Sequence, residues 1–257
     1  GGVVTENVKV IIASGTHRAM TYEEQKLKIG SSWFDKLQVI SYDFRDTDSM
    51  VNLGYTANGT PVSLRKEILD ADLTIGIGRI VPHHVCGFSG GAKIVQPGVC
   101  SEAVTACTHL LSVRKSERSF LGVLENPVRE EMEAVAEIAG VRYIFNAVMD
   151  RCGNIYKAVF GDIKEAFRVG VSACLEIYNT DVRERTPVVI ASSSPCDLEF
   201  WQAHKTLYPA DMVVADGGMV IIVTPCPEGV AVTHPELSEF AGLNPDTIER
   251  MIDNGSL

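Results

Sequence analysis

The chain is predicted to be α/β: two α/β lobes with mostly parallel sheets and an active-site cleft between them. Three observations predict it. Short apolar, β-branched runs alternate with helical stretches, the βαβα order of a parallel sheet. Glycines follow several of the apolar runs directly, marking strand-to-helix turns. The pattern breaks once, at the charged stretch Thr180-Asp-Val-Arg-Glu-Arg-Thr-Pro187, and then restarts. The expected division is therefore residues 1–180 and residues 181–257.

In order, Val8-Lys-Val-Ile-Ile-Ala-Ser14 reads as a strand, and Thr21-Tyr-Glu-Glu24 is a capping box that announces a helix. Leu37-Gln-Val-Ile-Ser41 is a second strand, and Leu73-Thr-Ile-Gly-Ile-Gly78 a central, buried parallel one. Helices are expected at 101–112 and at 127–139, the latter opened by Pro127 and closed by Gly140. Strands follow at 141–148 and 155–160, then a helix at 162–178 behind Gly161. In the second lobe, strands at 188–192 and 219–224 flank a helix near 199–208. Helices near 235–241 and 245–253 close the chain, the last capped by Asn244 and Pro245.

The 257 residues suffice for one large domain or two smaller ones. A net charge of −10 without any basic stripe excludes a nucleic-acid partner. No apolar run reaches the roughly 18–20 residues that cross a bilayer, so no membrane partner is expected, and no signal peptide opens the chain. The seven cysteines are odd in number, dispersed and without CxxC pairs, which suits reduced thiols in a cytoplasmic protein. Both ends look cut, because a strand begins almost at Gly1 and the chain stops at Leu257 just past a helix.

Chemistry concentrates in the run Arg79-Ile-Val-Pro-His-His-Val-Cys-Gly-Phe-Ser-Gly-Gly-Ala-Lys93, directly after the third strand. A loop there lies where open α/β sheets place their ligands. Gly87, Gly90 and Gly91 would let a backbone approach a ligand, with N–H groups to cradle an anion. The run is not a Walker A loop. Gly87-Phe-Ser89-Gly-Gly91 has GxSxG spacing, but Pro97 and Gly98 follow too soon for the helix of a nucleophile elbow. His83 and His84, adjacent in an extended segment, should point to opposite sides, with one facing the cleft and the other structural.

Three other places carry candidate groups. His17 and Arg18 sit in Gly15-Thr-His-Arg18 after the first strand. They suit an acid/base beside an anion-binding neighbour, or equally an exposed loop. His109 in Cys107-Thr-His109 is a single metal ligand or a packed helical histidine. With Cys86, Cys100 and Cys107 a zinc site is imaginable, although the spacings match no standard pattern. In Asp197-Leu-Glu-Phe-Trp-Gln-Ala-His-Lys205, Trp201, Gln202 and Lys205 can share a helix face, offering an amide and an amine to a carboxylate or lying on a solvated surface.

Taken together, these segments resemble the nickel-dependent lactate racemase family. The family has a THR-type loop, a PH…GFSGG.K loop, a downstream histidine and a Q..K pair. Here they stand as Gly15-Thr-His-Arg18, Pro82-His83 through Lys93 with Pro97-Gly98, His109, and Gln202…Lys205, in order over nearly the whole chain. Each piece alone is weak, whereas the combination is specific.

The resemblance implies a nickel pincer nucleotide, a pyridinium mononucleotide bearing two sulfur arms, tethered to Lys93 through a thioamide. Protein made in a host without the cofactor-biosynthesis proteins would lack it. Ser89, Gly90 and Gly91 would help to seat the cofactor and His109 would complete nickel coordination. His17 and His83 would be the bases, one for each enantiomer. Gln202 and Lys205 would meet the carboxylate of a small 2-hydroxy acid, with Arg18 and Trp201 also in contact with it. Residues 1–180 would be the cofactor-binding domain, without its N-terminal part, and 181–257 the start of the C-terminal domain. The implied reaction is racemisation or epimerisation, by hydride transfer from the α-carbon and back.

This chain departs from the family in four respects. An upstream D.TR-type motif would lie before Gly1, and the C-terminal part of the second domain would lie beyond Leu257. Trp201 stands where a tyrosine is usual, and His84 where an aromatic is common. The competing functions are a non-catalytic nucleotide- or acid-binding protein and, further off, a zinc or serine hydrolase.

Overall fold

The structure, a computed structural model, describes residues 2–116 and 118–256, so Gly1 and Leu257 at the two expected cut ends lie outside the described residues. Two compact units are present, Gly1–Asp181 and Val182–Leu257.

In the first unit, β1 (Lys9–Ile12) pairs in parallel with β2 (Gln38–Ser41), and α1 (Tyr22–Ile29) and α2 (Ser31–Phe34) lie between them in sequence. The expected capping box opens α1. The Thr21 hydroxyl accepts from the Glu24 N–H, and the Glu24 carboxylate accepts from the Thr21 N–H at 2.8 Å. Between β2 and the next expected strand the chain forms an antiparallel hairpin, β3 (Met50–Tyr55) and β4 (Pro61–Arg65), that the sequence reading did not assign. Its signal was Asn58-Gly59, a strong hairpin-turn pair. Buried Glu131 secures the turn by accepting from Thr56 and, at 2.7 Å, from Asn58.

The three-stranded sheet that supports the site runs in the order β5 (Ile75–Arg79), β8 (Tyr143–Met149) and β9 (Ile155–Asp162). It corrects two expectations. β5 is an edge strand rather than a central one, and only one of its faces is buried. Gly76 packs inward, whereas Ile75 and Ile77 are exposed together with Tyr143, Phe145 and Phe160 on the neighbouring strands. Side chains alternate across a strand, so a run that looks continuously apolar divides between the two faces. The inward face carries Ile144, Val148 and Val159 and joins the core with Val128, Met132 and Val135 of α4 (Pro127–Ile138) and Phe167 of α5 (Glu165–Tyr178).

Two more elements complete the surroundings of the site: the two-residue strands β6 (Pro82–His83) and β7 (Gly87–Phe88), paired antiparallel, and α3 (Glu102–Lys115). Strand pairing is mixed: β1–β2 and β5–β8 are parallel, but β3–β4, β6–β7 and β8–β9 are antiparallel.

The second unit contains the parallel pair β10 (Thr186–Ser192) and β11 (Val214–Val223). The helix expected near 199–208 is broken into α6 (Phe200–Ala203), a 3-10 turn over His204–Thr206, and α7 (Leu207–Val213). Helices α8 (Leu237–Phe240) and α9 (Pro245–Asp253) follow, and the Asn244 side chain caps α9 through the Asp246 N–H. Among the described residues no helix is long and apolar enough to cross a membrane.

Candidate functional site

Four glycines and a buried arginine hold the loop after β5. A Cβ at Gly87 would fall 1.9 Å from the Val123 carbonyl oxygen, and one at Gly98 would fall 2.1 Å from that of Ile94. At Gly90 and Gly91 it would meet Ile80 at 2.7 Å and the Phe167 ring at 2.8 Å. These glycines therefore let the backbone approach the protein's own core, which corrects the expectation of glycines left open for a ligand. The Gly91 N–H is likewise committed, donating to Asn146 Oδ1 at 2.8 Å.

Ser89 is a strut. Its hydroxyl donates to the Arg79 carbonyl at 2.9 Å and accepts from the Val81 N–H at 3.1 Å. These bonds tie the loop to the end of β5, and they leave the serine-hydrolase reading without support.

Lys93 sits in the 3-10 turn Gly91–Ile94, with its N–H on the Gly90 carbonyl at 3.2 Å. Its side chain is half-buried, and among the described residues nothing accepts a hydrogen bond from the amine. Burial holds the amine below the usual lysine value; the Cys86 side chain opposes that shift and the Arg129 guanidinium adds to it. An amine in this state is more often neutral, and so more nucleophilic, than a surface lysine.

The imidazoles of His83 and His84 stack, with centroids 4.8 Å apart and planes 23° from parallel. The expected opposite orientation fails because β6 ends at His83 and the chain turns at His84, so strand alternation carries no further. His83 Nδ1 accepts from the Val85 N–H at 3.2 Å and lies 3.5 Å from Cys86 Sγ.

The loop carrying His17 is docked on the segment after Lys93: the Gly15 N–H donates to the Gly98 carbonyl at 3.0 Å. The first two motifs are thus brought together. Arg18 makes a two-pronged pair with Glu24, 2.8 Å on each arm. His109 Nδ1 lies 2.8 Å from the Thr105 carbonyl, so in the neutral ring Nδ1 carries the proton and Nε2 the lone pair, the tautomer of a metal-ligating histidine. Among the described residues no three His, Cys, Asp or Glu side chains gather as a metal-binding group. Cys86 and Cys100 are buried, each with Sγ on a main-chain carbonyl, so the three-cysteine zinc arrangement is not built.

Sequence reasoning missed the residue that binds this loop together. Arg129 is fully buried. Its Nη1 donates to the Gly90 carbonyl at 3.1 Å, and its Nη2 donates to the carbonyls of Phe88 and, at 3.4 Å, Cys86. The guanidinium lies 4.2 Å from the centre of the Phe167 ring. A signal was present, since a cation in the first turn of a helix opposes the helix dipole and needs a local reason to be there.

In the second unit, Lys205 Nζ donates to Gln202 Oε1 at 2.5 Å across the 3-10 turn, so amine and amide converge as expected. Two histidines that the sequence reading did not use flank them. His234 packs edge-on against Trp201 at 4.1 Å, and His204 lies 6.0 Å from Tyr208, its charged form disfavoured by burial. Main-chain bonds from Phe200 to Gly229 and from Trp201 to Val230, both 2.9 Å, hold the two segments together. In the first unit, an open depression lined by Ile68, Asp72, Thr74, Gly140 and Tyr143 lies at the amino-terminal ends of β5 and β8.

These features define an α/β protein that gathers a lysine and histidines on loops beyond the carboxyl end of a parallel strand. Comparison with known proteins places it more closely. Residues 1–122 match the lactate racemase N-terminal domain. Curated lactate racemases from Thermoanaerobacterium thermosaccharolyticum and Lactiplantibacillus plantarum are 31% and 28% identical, over 87% and 86% of this chain. The chain spans about half the length of these relatives, 53% of each. The structure of the lactate racemase apoprotein from T. thermosaccharolyticum superposes with a TM-score of 0.79 at 31% identity, covering 87% of this chain and 54% of that one. A Thermotoga maritima protein of 22% identity shares the fold, with a TM-score of 0.68 over 82% of this chain and 57% of that one.

Proposed function

We propose that this chain carries the cofactor- and substrate-binding parts of a cytoplasmic racemase or epimerase for lactate or a related 2-hydroxy acid. The observation that carries the reading is the Lys93 amine: half-buried, held below its usual pKa and without a hydrogen-bond acceptor among the described residues. Its glycine-packed turn suits a covalent tether. In this reading residues 1–180 are the cofactor-binding domain and 181–257 begin the acid-binding one.

The residues fit a tethered nickel pincer nucleotide, delivered by cofactor-biosynthesis proteins. Lys93 would hold it covalently, His109 would offer Nε2 to the metal, and the Ser89–Gly91 turn would back the nucleotide. When bound, that group supplies a hydride acceptor for the α-carbon, whose C–H is too weakly acidic for a side-chain base. His17 and His83 would accept or return the hydroxyl proton, one for each enantiomer. Contact of His83 Nδ1 with the Val85 N–H leaves the neutral ring's proton on Nε2, so in this state His83 can only return a proton, and to accept one it must first break the Nδ1 contact. Lys205 and Gln202 would bind the carboxylate beside Trp201.

The test is co-expression with the cofactor-biosynthesis proteins, followed by mass analysis of the Lys93 peptide, nickel determination and chiral chromatography of D- and L-lactate. A Lys93 adduct with nickel and interconversion of the enantiomers is the expected result. An unmodified Lys93 peptide under those conditions defeats the proposal, and an adduct that binds acid without turnover favours the binding-protein alternative.

A further inference from the structure

We infer that Arg129 is the positioning residue of this site, a single buried cation that sets both the Lys93 turn and the surroundings of His83. The inference rests on the roles given to Lys93 and His83 above.

The geometry is convergent. Arg129 Nη1 and the Lys93 N–H donate to one acceptor, the Gly90 carbonyl, at 3.1 and 3.2 Å. On the other arm, Nη2 lies 3.7 Å from Cys86 Sγ, and that sulfur lies 3.5 Å from His83 Nδ1. One guanidinium thus touches the peptide that anchors the tethering lysine and the thiol beside the base. It is also sealed in: Phe167 lies against it, and that ring is the group a Cβ at Gly91 would strike.

Burying a guanidinium without a directly paired carboxylate is costly, and a core built for packing alone would use an apolar residue here. The Glu133 carboxylate, one turn on, is bound by Arg168 at 3.1 Å. The charged and titratable groups that act on Arg129 are Cys86, Glu133 and Arg168, and those that act on Lys93 are Cys86 and Arg129. Burial, and after it like charge from Arg129, favours the neutral amine at Lys93. Lysine could not replace arginine, because an ammonium lacks the planar fork that reaches several carbonyls at once.

The test needs neither cofactor nor substrate. Trace acetylation of the whole chain across pH, read at Lys93 relative to surface Lys164, reports the amine; hydrogen exchange reports the Lys93 amide. In a folded R129Q chain, Lys93 labelling at neutral pH should fall roughly 3- to 10-fold, because the amine is more fully protonated once a neighbouring like charge is lost. The Lys93 amide should also lose protection. R129K should recover the labelling but not the protection. If R129Q does not fold, F167L, which removes only the ring, should lower the labelling in the same direction. A folded R129Q, or failing that F167L, with the wild-type Lys93 pH profile overturns the inference and leaves Arg129 as packing. Because these readouts are independent of turnover, a shifted profile in a chain without racemase activity would remove the functional reading and keep the positioning role.

Discussion

His83 and His84 stack ring on ring at 4.8 Å, so the two imidazoles support one another on the same side of the chain. His83→Ala should lower turnover of the cofactor-loaded protein about 10²-fold or more, the usual scale for a positioned acid/base. His84→Ala should spare the chemistry but release the His83 ring, with a smaller loss of turnover. It should also lower stability by roughly 0.5–1.5 kcal/mol, the worth of an aromatic pair. Steady-state exchange of lactate enantiomers and urea unfolding would measure both. Equal turnover losses at the two positions would show that His84 itself handles a proton.

Much of this was legible in the sequence, and the rest was not for physical reasons. The elements with strong local signals, such as α1 behind its capping box and α4 between Pro127 and Gly140, stand where expected, because caps and breakers act over a few residues. What failed depended on non-local partners. Whether Ile75 and Ile77 face core or solvent depends on what covers the sheet, which periodicity over five residues cannot report. Gly87, Gly90 and Gly91 stood out correctly as special, but their partners, Val123, Ile80 and Phe167, come from distant parts of the chain. Arg129 offered only the faint signal of a cation in a first helical turn, because its hydrogen bonds go to main-chain carbonyls, which have no sequence signature.

The loop glycines give a graded test of packing. Gly87 has φ +80° and no room for a Cβ beside the Val123 carbonyl, whereas Gly122 has φ +75° and nothing within 4 Å. Gly122→Ala should therefore cost only the left-handed backbone term, roughly 1–2 kcal/mol. Gly87→Ala adds a main-chain clash and should cost about 4 kcal/mol or more, an exceptional value for one methyl group. Chemical denaturation would separate them, and equal costs would mean that the loop is not held against Val123.

Acid should weaken the start of α1. Hydrogen bonds from Arg18 and then from the Thr21 N–H hold the Glu24 carboxyl down at about 2, against an ordinary 4.5. A depressed carboxyl contributes stability that is fully present above its unfolded pKa and is lost as pH falls through the folded one. The window therefore runs from about 4.5 down to about 2. Both side chains are roughly a third exposed, so solvent screening limits the effect to about 1 kcal/mol or less. Glu24→Gln keeps the capping geometry and removes the charge. Its deficit in urea unfolding should be present at neutral pH and close on acidification; a deficit independent of pH would assign Glu24 a purely local capping role.

Lys205 Nζ lies 2.5 Å from the Gln202 amide oxygen, with Trp201 one residue away, and in the proposed reading this pair would meet the substrate carboxylate. An incoming 2-hydroxy acid would take hydrogen bonds from the ammonium and from the amide NH2, while the amide oxygen keeps the lysine in place. Lys205→Ala should therefore raise KM and lower kcat/KM for the acid. A charge-assisted hydrogen bond of about 1.5–3 kcal/mol corresponds to roughly a 10- to 150-fold loss. Gln202→Ala should cost less, because the lysine charge remains and only its orientation is lost. Neither change should alter the Lys93 adduct or nickel content, measured by mass analysis and metal determination on the same preparations. If Lys205→Ala binds acid normally but loses the adduct, Lys205 belongs with the cofactor, and the carboxylate must be met elsewhere.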